Sequence, residues 1–183
     1  MRCSPVVVAL VAVVAMAAIA CGESEQEPQG LPEPREVLEV SSPDLEDGGE
    51  FPVQLTCDGD ETSPAIEWSL ATNTEEYMIL MTDPDAPNET FVHWVLLDLD
   101  PERSSVGTGQ VPGEATQGEN SFGDTGYAGP CPPEGDDAHT YEITVYALNR
   151  SLEIPPDADL RELLSHIRCC VQASGTLEAS YAR

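Results

Sequence analysis

From residue 37 to residue 183 the chain alternates short apolar runs with clusters of Pro, Gly, Asp and Asn. VLEVSS, FPVQLTC, IEWSL, YMILMTD, FVHWVLLDL, YEITVYAL and ASGTLEASY each read as strands. YMILMTD and VHWVLLDL are almost continuously apolar, the mark of central strands, whereas LEASYAR alternates and closes the sheet. One segment has the helical period. Asp159 can cap it, Glu162 stands three residues on, and Leu160, Leu163, Leu164 and Ile167 share one face. Many strands and one late helix predict a mostly β fold. The expected architecture is an antiparallel β-sandwich of Greek-key type with one or two short helices.

The pattern before residue 37 is different. Arg2 is followed by an apolar or small run from Val6 to Ala20 and then Cys21, the layout of an export signal. A spanning helix needs about 20 apolar residues, and this run is shorter and ends abruptly. Ala18-Ile19-Ala20-Cys21 resembles a bacterial lipobox, without the usual leucine three residues before the cysteine. The expected division is a lipoprotein signal peptide over 1–20, an acidic Pro-rich tether over 21–36, and one domain over 37–183. Lipidation at Cys21 would anchor an exported envelope protein to the membrane; the alternative is a secreted or periplasmic soluble protein. The tether carries five glutamates and three prolines around a single leucine and cannot bury a core.

Export places the remaining cysteines in an oxidising compartment. Cys57, Cys131, Cys169 and Cys170 allow three pairings, which sequence alone leaves open. The pairing that joins adjacent Cys169 and Cys170 is disfavoured as strained. The formal charge is −27, and all seven cations are arginine. So acidic a chain argues against nucleic acid and against anionic lipid headgroups as partners. It suits a solvated, self-repelling surface.

No nucleophile elbow, P-loop, zincin or dinucleotide motif is present. Three clusters remain: DPDAP (Asp83 to Pro87) after an apolar strand, VHW (Val92 to Trp94) opening the next, and GYAGPCPPEGDDAHTY (126–141) running into a third. Each has an ordinary structural reading. Asp-Pro-Asp makes good turns, and a strand histidine beside Trp94 is often a satisfied core residue. His139 and Tyr141, two apart, share a strand face. His166 near the helix end suits the helix dipole. Asp83, Asp85, His93 and His139 could converge on zinc, but the calcium-loop pattern fails at Pro87. The reading adopted has no metal and no cofactor.

Taken in order, DPDAP, HW and G-Y-x-G-P-C-P-P-x-G-x-x-x-H-x-Y, with V-Y-A-L behind, resemble the phosphatidylethanolamine-binding protein family, specifically its bacterial Raf-kinase-inhibitor-like branch. CDGDETSPAIEW is similar to that branch's cysteine-led loop, with Ala65 in place of a proline. Cys169-Cys170 stands where bacterial members often carry Gly-His. The resemblance covers roughly residues 45–183 and implies a β-sandwich with a small anion-binding pocket at one end. It implies that Asp83, His93, His139 and Tyr141 line the pocket, that the backbone amide of Cys131 reaches the ligand, and that Pro132 and Pro133 form an apolar wall. Asp85, Trp94 and Gly129 would support it. A bridge from Cys131 to Cys57 would pin that amide.

Fixed N–H and O–H donors suit a phosphate or carboxylate, while aspartates repel one. Asp83 either orients or charges a histidine, or accepts from a protonated phosphate oxygen or an ammonium. The expected function is an exported, membrane-tethered binding protein for a small anionic or phospho-headgroup ligand. The alternative is a pocket- or surface-mediated inhibitor of a protease or other envelope protein. Catalysis is not expected: Asp, His and Tyr permit acid–base work on an ester, but no serine sits in an activating motif.

Overall fold

The computed structural model describes residues 34–183. The expected signal peptide, Cys21 and most of the tether fall outside them. Strands follow in chain order as β1 (Glu36–Val37), β2 (Val40–Ser41), β3 (Gly49–Glu50), β4 (Ile66–Trp68), β5 (Glu76–Asp83), β6 (Phe91–Leu99), β7 (Ser105–Val106), β8 (Thr116–Gln117), β9 (His139–Leu148) and β10 (Val171–Tyr181). One helix, α1 (Leu160–Ile167), precedes β10.

The large sheet runs β1-β10-β9-β5-β6-β8, with β3 also on β10. Its long central pairs are antiparallel, and only β1 and β3 join parallel. A small antiparallel sheet, β2-β4-β7, lies across one face. Ile66, Trp68 and Val106 of the small sheet pack on Tyr77, Ile79, Met81, Trp94 and Leu96 of the large one. Helix α1 covers part of the opposite face, setting Leu163 and Ile167 on Met78, Leu80, Val95 and Leu148. Strands covered on both faces have no solvent side, which is why β5 is buried at every position.

The expected mostly β, antiparallel sandwich with a short helix is therefore the observed fold. The Asp159 side chain accepts from the Glu162 amide at 2.8 Å, so the helix starts where its cap residue stands.

Two expectations are corrected. FPVQLTC is not a strand: Val53–Leu55 forms a 3-10 turn after Pro52. Proline fixes φ at its entry, and the Thr56 hydroxyl donates to Val53 O at its exit, closing a local turn in place of a sheet ladder. The cysteines pair as Cys57–Cys131 and as Cys169–Cys170, the bridge disfavoured above. With Cys57 and Cys131 joined, Cys169 and Cys170 are the two cysteines left among the described residues, and the turn after α1 sets their Cα atoms 3.7 Å apart.

Candidate functional site

Three strand ends meet at one edge of the sandwich. Asp83 is the last residue of β5, Phe91 opens β6 opposite it, and His139 opens β9. His93 reaches the same place through an irregularity. The β5–β6 register steps from Met81↔Trp94 to Thr82↔Val92, which leaves His93 as the extra residue of a β-bulge. Trp94 and Leu96 face the core between the sheets, so strict alternation would send His93 to the opposite face. The bulge re-aims it. Its ring instead lies 4.9 Å from Phe91 and 5.2 Å from Tyr141, centroid to centroid.

Both histidines are buried, and both are held through Nδ1. His139 Nδ1 lies 2.7 Å from Asp83 Oδ2, and His93 Nδ1 lies 2.9 Å from the Ala128 carbonyl oxygen. A carboxylate and a carbonyl only accept, so Nδ1 of each ring carries the proton. Nε2 is the nitrogen left over on each, with no hydrogen-bond partner among the described residues. Burial lowers the pKa of His93 below its ordinary value, while the Ala128 carbonyl and Asp83 oppose that shift. A neutral His93 offers a lone pair at Nε2; a protonated one offers a donor.

The aspartates are engaged before any ligand arrives. Asp83 Oδ1 accepts from the Asp85 amide at 2.8 Å, which closes the DPD turn, and Asp85 Oδ2 accepts from the Thr140 amide at 2.8 Å. Asp83 thus orients His139 with one oxygen and its own turn with the other. Asp85 ties that turn to the start of β9.

The loop of residues 126–135 is clamped along its length. The Ala128 amide donates to His93 O at 2.9 Å while Ala128 O receives His93 Nδ1, a reciprocal pair. The Tyr127 hydroxyl donates to Leu55 O at 2.7 Å, and the Cys57 amide donates to Pro130 O at 3.2 Å. The Cys57–Cys131 bridge fixes the loop covalently. Gly129 is required by close approach: a Cβ there would sit 2.7 Å from Leu55 O and 2.8 Å from Thr56 Cα. The turn at Val53–Leu55 is the bed on which this loop lies.

These pieces enclose a cavity of about 390 Å³. Asp83, His93, Cys131, Pro132, Pro133 and His139 line it, with Pro87, Phe91 and Phe122 at an apolar rim. Five of the six expected binding residues therefore meet in one place. Tyr141 is displaced from its expected position in the lining: it is buried behind the histidines, ring-stacked on His139 at 6.5 Å and edge-on to Phe51 at 5.6 Å. Inward-facing β9 residues join the intersheet core, and the second of them already lies beneath the floor. Its hydroxyl sits near the Cys131 backbone but makes no hydrogen bond of ordinary geometry. Burial and the Asp83 charge raise its pKa, so it stays a neutral donor. Trp94 lies in the core, edge-on to Tyr127 at 5.8 Å, and supports the loop from beneath.

Sequence reading missed Phe91, Phe122 and Asn120. Phe91 and Phe122 lie edge to face at 4.7 Å, and Phe122 is exposed. Buried Asn120 holds that rim: its Oδ1 accepts from the amides of Phe122 and Asp124, and its Nδ2 donates to Gly126 O at 3.0 Å. The signal was the segment NSFGDTG, an Asx-type turn with two glycines.

Comparison with known proteins bears on the family and the fold. A family profile described as phosphatidylethanolamine-binding protein matches residues 41–182. LppC of Mycobacterium tuberculosis, which carries a lipoprotein name, is 38% identical over 123 residues, 67% of this chain and 61% of LppC. The chain thus matches somewhat less than two thirds of that relative's length. The UPF0098 protein PH1269 of Pyrococcus horikoshii is 33% identical over 187 residues, covering 98% of this chain and 88% of the relative. Among solved structures, the phosphatidylethanolamine-binding protein homologue CT736 of Chlamydia trachomatis superposes with a TM-score of 0.74 at 27% identity, covering 81% of this chain and 99% of its own. YbcL of Escherichia coli gives 0.74 at 26% identity, covering 80% and 98%. This chain belongs to the phosphatidylethanolamine-binding protein family.

Proposed function

We propose that the chain is a binding protein whose cavity takes a small anionic or phospho-headgroup ligand without turning it over. The observation that carries this reading is the pair of buried imidazoles. Each is fixed through Nδ1, and each leaves Nε2 free at a cavity of small-ligand size. Prolines and a disulfide hold the facing loop, so little entropy is lost on binding.

The ligand must carry or bring a proton. No lysine or arginine lines the cavity, and Glu89 stands at its rim. A monohydrogen phosphate can donate its P–OH to neutral His93 Nε2, and that nitrogen holds a fully ionised oxygen only when the ring is protonated.

Two observations favour binding over catalysis. Ser121 lines the cavity, but its Oγ accepts from the Val92 amide and meets no histidine. Cys131 is held in a disulfide and carries no thiolate.

We place the protein in the cell envelope, tethered through Cys21. The lipoprotein name of LppC supports this placement. Among the described residues no helix is long and apolar enough to cross a membrane. Calorimetric titration with inorganic phosphate, acetate and a phosphomonoester tests the binding reading. Saturable one-site binding lost in His139→Ala supports it; no heat from any of the three, or the same heat in the variant, refutes it.

A further inference from the structure

The two disulfides of the domain do different things. Cys57–Cys131 spans 74 residues of sequence and holds the loop at the cavity. Cys169–Cys170 has a sequence separation of 1 and closes no loop of chain. A crosslink restrains the unfolded chain more the longer the loop it closes, as the logarithm of its length, so this one contributes little to stability by that route.

The turn around it is held without it. The Cys170 amide donates to Ile167 O at 2.8 Å, and the Asn149 amide donates to Cys170 O at 2.9 Å. Exposure of the two residues is unequal: Cys169 is exposed at the end of α1, and Cys170 is 1% exposed at the head of β10. A bridge that staples nothing, with one half presented to solvent, is suited to chemistry.

We propose that Cys169–Cys170 is a thiol–disulfide exchange site whose substrate is a dithiol reductant. A thiolate of the reductant attacks Sγ of exposed Cys169. The new S–S bond forms as the Cys169–Cys170 bond breaks, and the electron pair leaves on Cys170 Sγ, which takes up a proton. The reductant's second thiolate then attacks the reductant sulfur of the mixed disulfide. Cys169 departs as a thiolate and is protonated, and the reductant ends as its own disulfide. Two electrons and two protons have passed to the pair. The product is a dithiol able to chelate a soft thiophilic centre. The site is separate from the anion cavity, and Cys57–Cys131 takes no part.

The test reduces the native folded chain at neutral pH without denaturant. Dithiothreitol is titrated in, reduction is stopped with excess N-ethylmaleimide, denaturant is then added with the maleimide still present so that covered thiols are labelled too, and labelled cysteines are mapped by mass spectrometry. The expected result is two labels per chain, on Cys169 and Cys170, at reductant concentrations at least about tenfold below those that label Cys57 and Cys131. Phenylarsine oxide should then capture the reduced pair, one per chain. Labelling of Cys57 and Cys131 first, or of all four together, overturns the proposal. The polarity has its own check. In Cys170→Ser the remaining Cys169 should form a mixed disulfide with oxidised glutathione, while in Cys169→Ser the covered Cys170 should not. Equal reactivity in the two variants contradicts the assigned roles, and the native titration stands even if a variant fails to fold.

Discussion

Asp83 Oδ2 and His139 Nδ1 lie 2.7 Å apart, both side chains buried, at the point where β5 ends and β9 begins. The contact explains why a carboxylate stands beside a pocket read as anion-binding. Asp83 addresses the ring, not the ligand, and sets Nε2 as the nitrogen that remains. In Asp83→Asn one acceptor oxygen must serve both His139 and the Asp85 amide, and an NH₂ group faces whichever donor is left. Phosphate affinity should fall about 10-fold or more, the loss of one charge-assisted hydrogen bond at roughly 1.5–3 kcal/mol. Calorimetry measures it; unchanged affinity would mean that His139 needs no orienting partner.

His93 predicts opposite effects of acid on binding and on folding. Its pKa is held below the ordinary 6.5 by burial. The folded protein therefore binds this proton less readily than the unfolded chain. Stability falls as pH drops below about 6.5, by at most about 1.4 kcal/mol per pH unit from this group, and levels once folded His93 also titrates. An anion at Nε2 favours the protonated ring, so affinity rises over the same range. His93→Gln should flatten both trends. Thermal melts and phosphate titrations between pH 8 and 5 on both proteins check it.

The bridge between Cys57 and Cys131 should contribute to stability and to binding together. A loop of this size corresponds to roughly 4 kcal/mol of chain-entropy stabilisation. Joint Cys57→Ala and Cys131→Ala substitution should lower Tm by about 8–16 °C at 2–4 °C per kcal/mol. Phosphate binding should weaken at temperatures where the variant is still folded, because the Cys131 wall is loosened. Calorimetric melting and titration of the double variant separate the two effects.

Gly129→Ala tests the clamp from the opposite side. The added methyl would press on Leu55 O and Thr56 Cα, both backbone atoms that cannot swing away. The expected cost is about 1–3 kcal/mol, as for other overpacked sites. Tyr127→Phe, which removes only the bond to Leu55 O, should cost about 1 kcal/mol. Urea unfolding of the two variants should rank them in that order.

Much of this was legible in the chain because local patterns and packing agree. FVHWVLLDL is strand β6 end to end, and Asp159 caps the helix it was expected to cap. Asp83, His93, Cys131, Pro133 and His139 could be named because DPDAP, HW and the 126–141 stretch resemble the motifs of one family. What could not be read were features set by partners remote in sequence. The bulge that turns His93 inward exists only in the pairing of β6 with β5. FPVQLTC alternates like a strand, but its neighbour is the 126–135 loop and not a sheet edge. Tyr141 shares a face with His139, yet depth along that face, unlike parity, is not encoded in a spacing of two. Phe122 is brought to the rim by Asn120 through a turn whose target lies in another strand.

The central claim is that His93 and His139 together bind a small anion through their free nitrogens with uptake of a proton. It is tested most directly by following the imidazole resonances of both histidines by NMR while inorganic phosphate is added at pH 8, 7, 6 and 5. The account predicts saturable shifts at His93 and His139, little change at half-buried His166 on the helix, and an affinity that strengthens with each step toward acid. Shifts absent from His93 and His139, or an affinity that is flat or falls with acid, would contradict it.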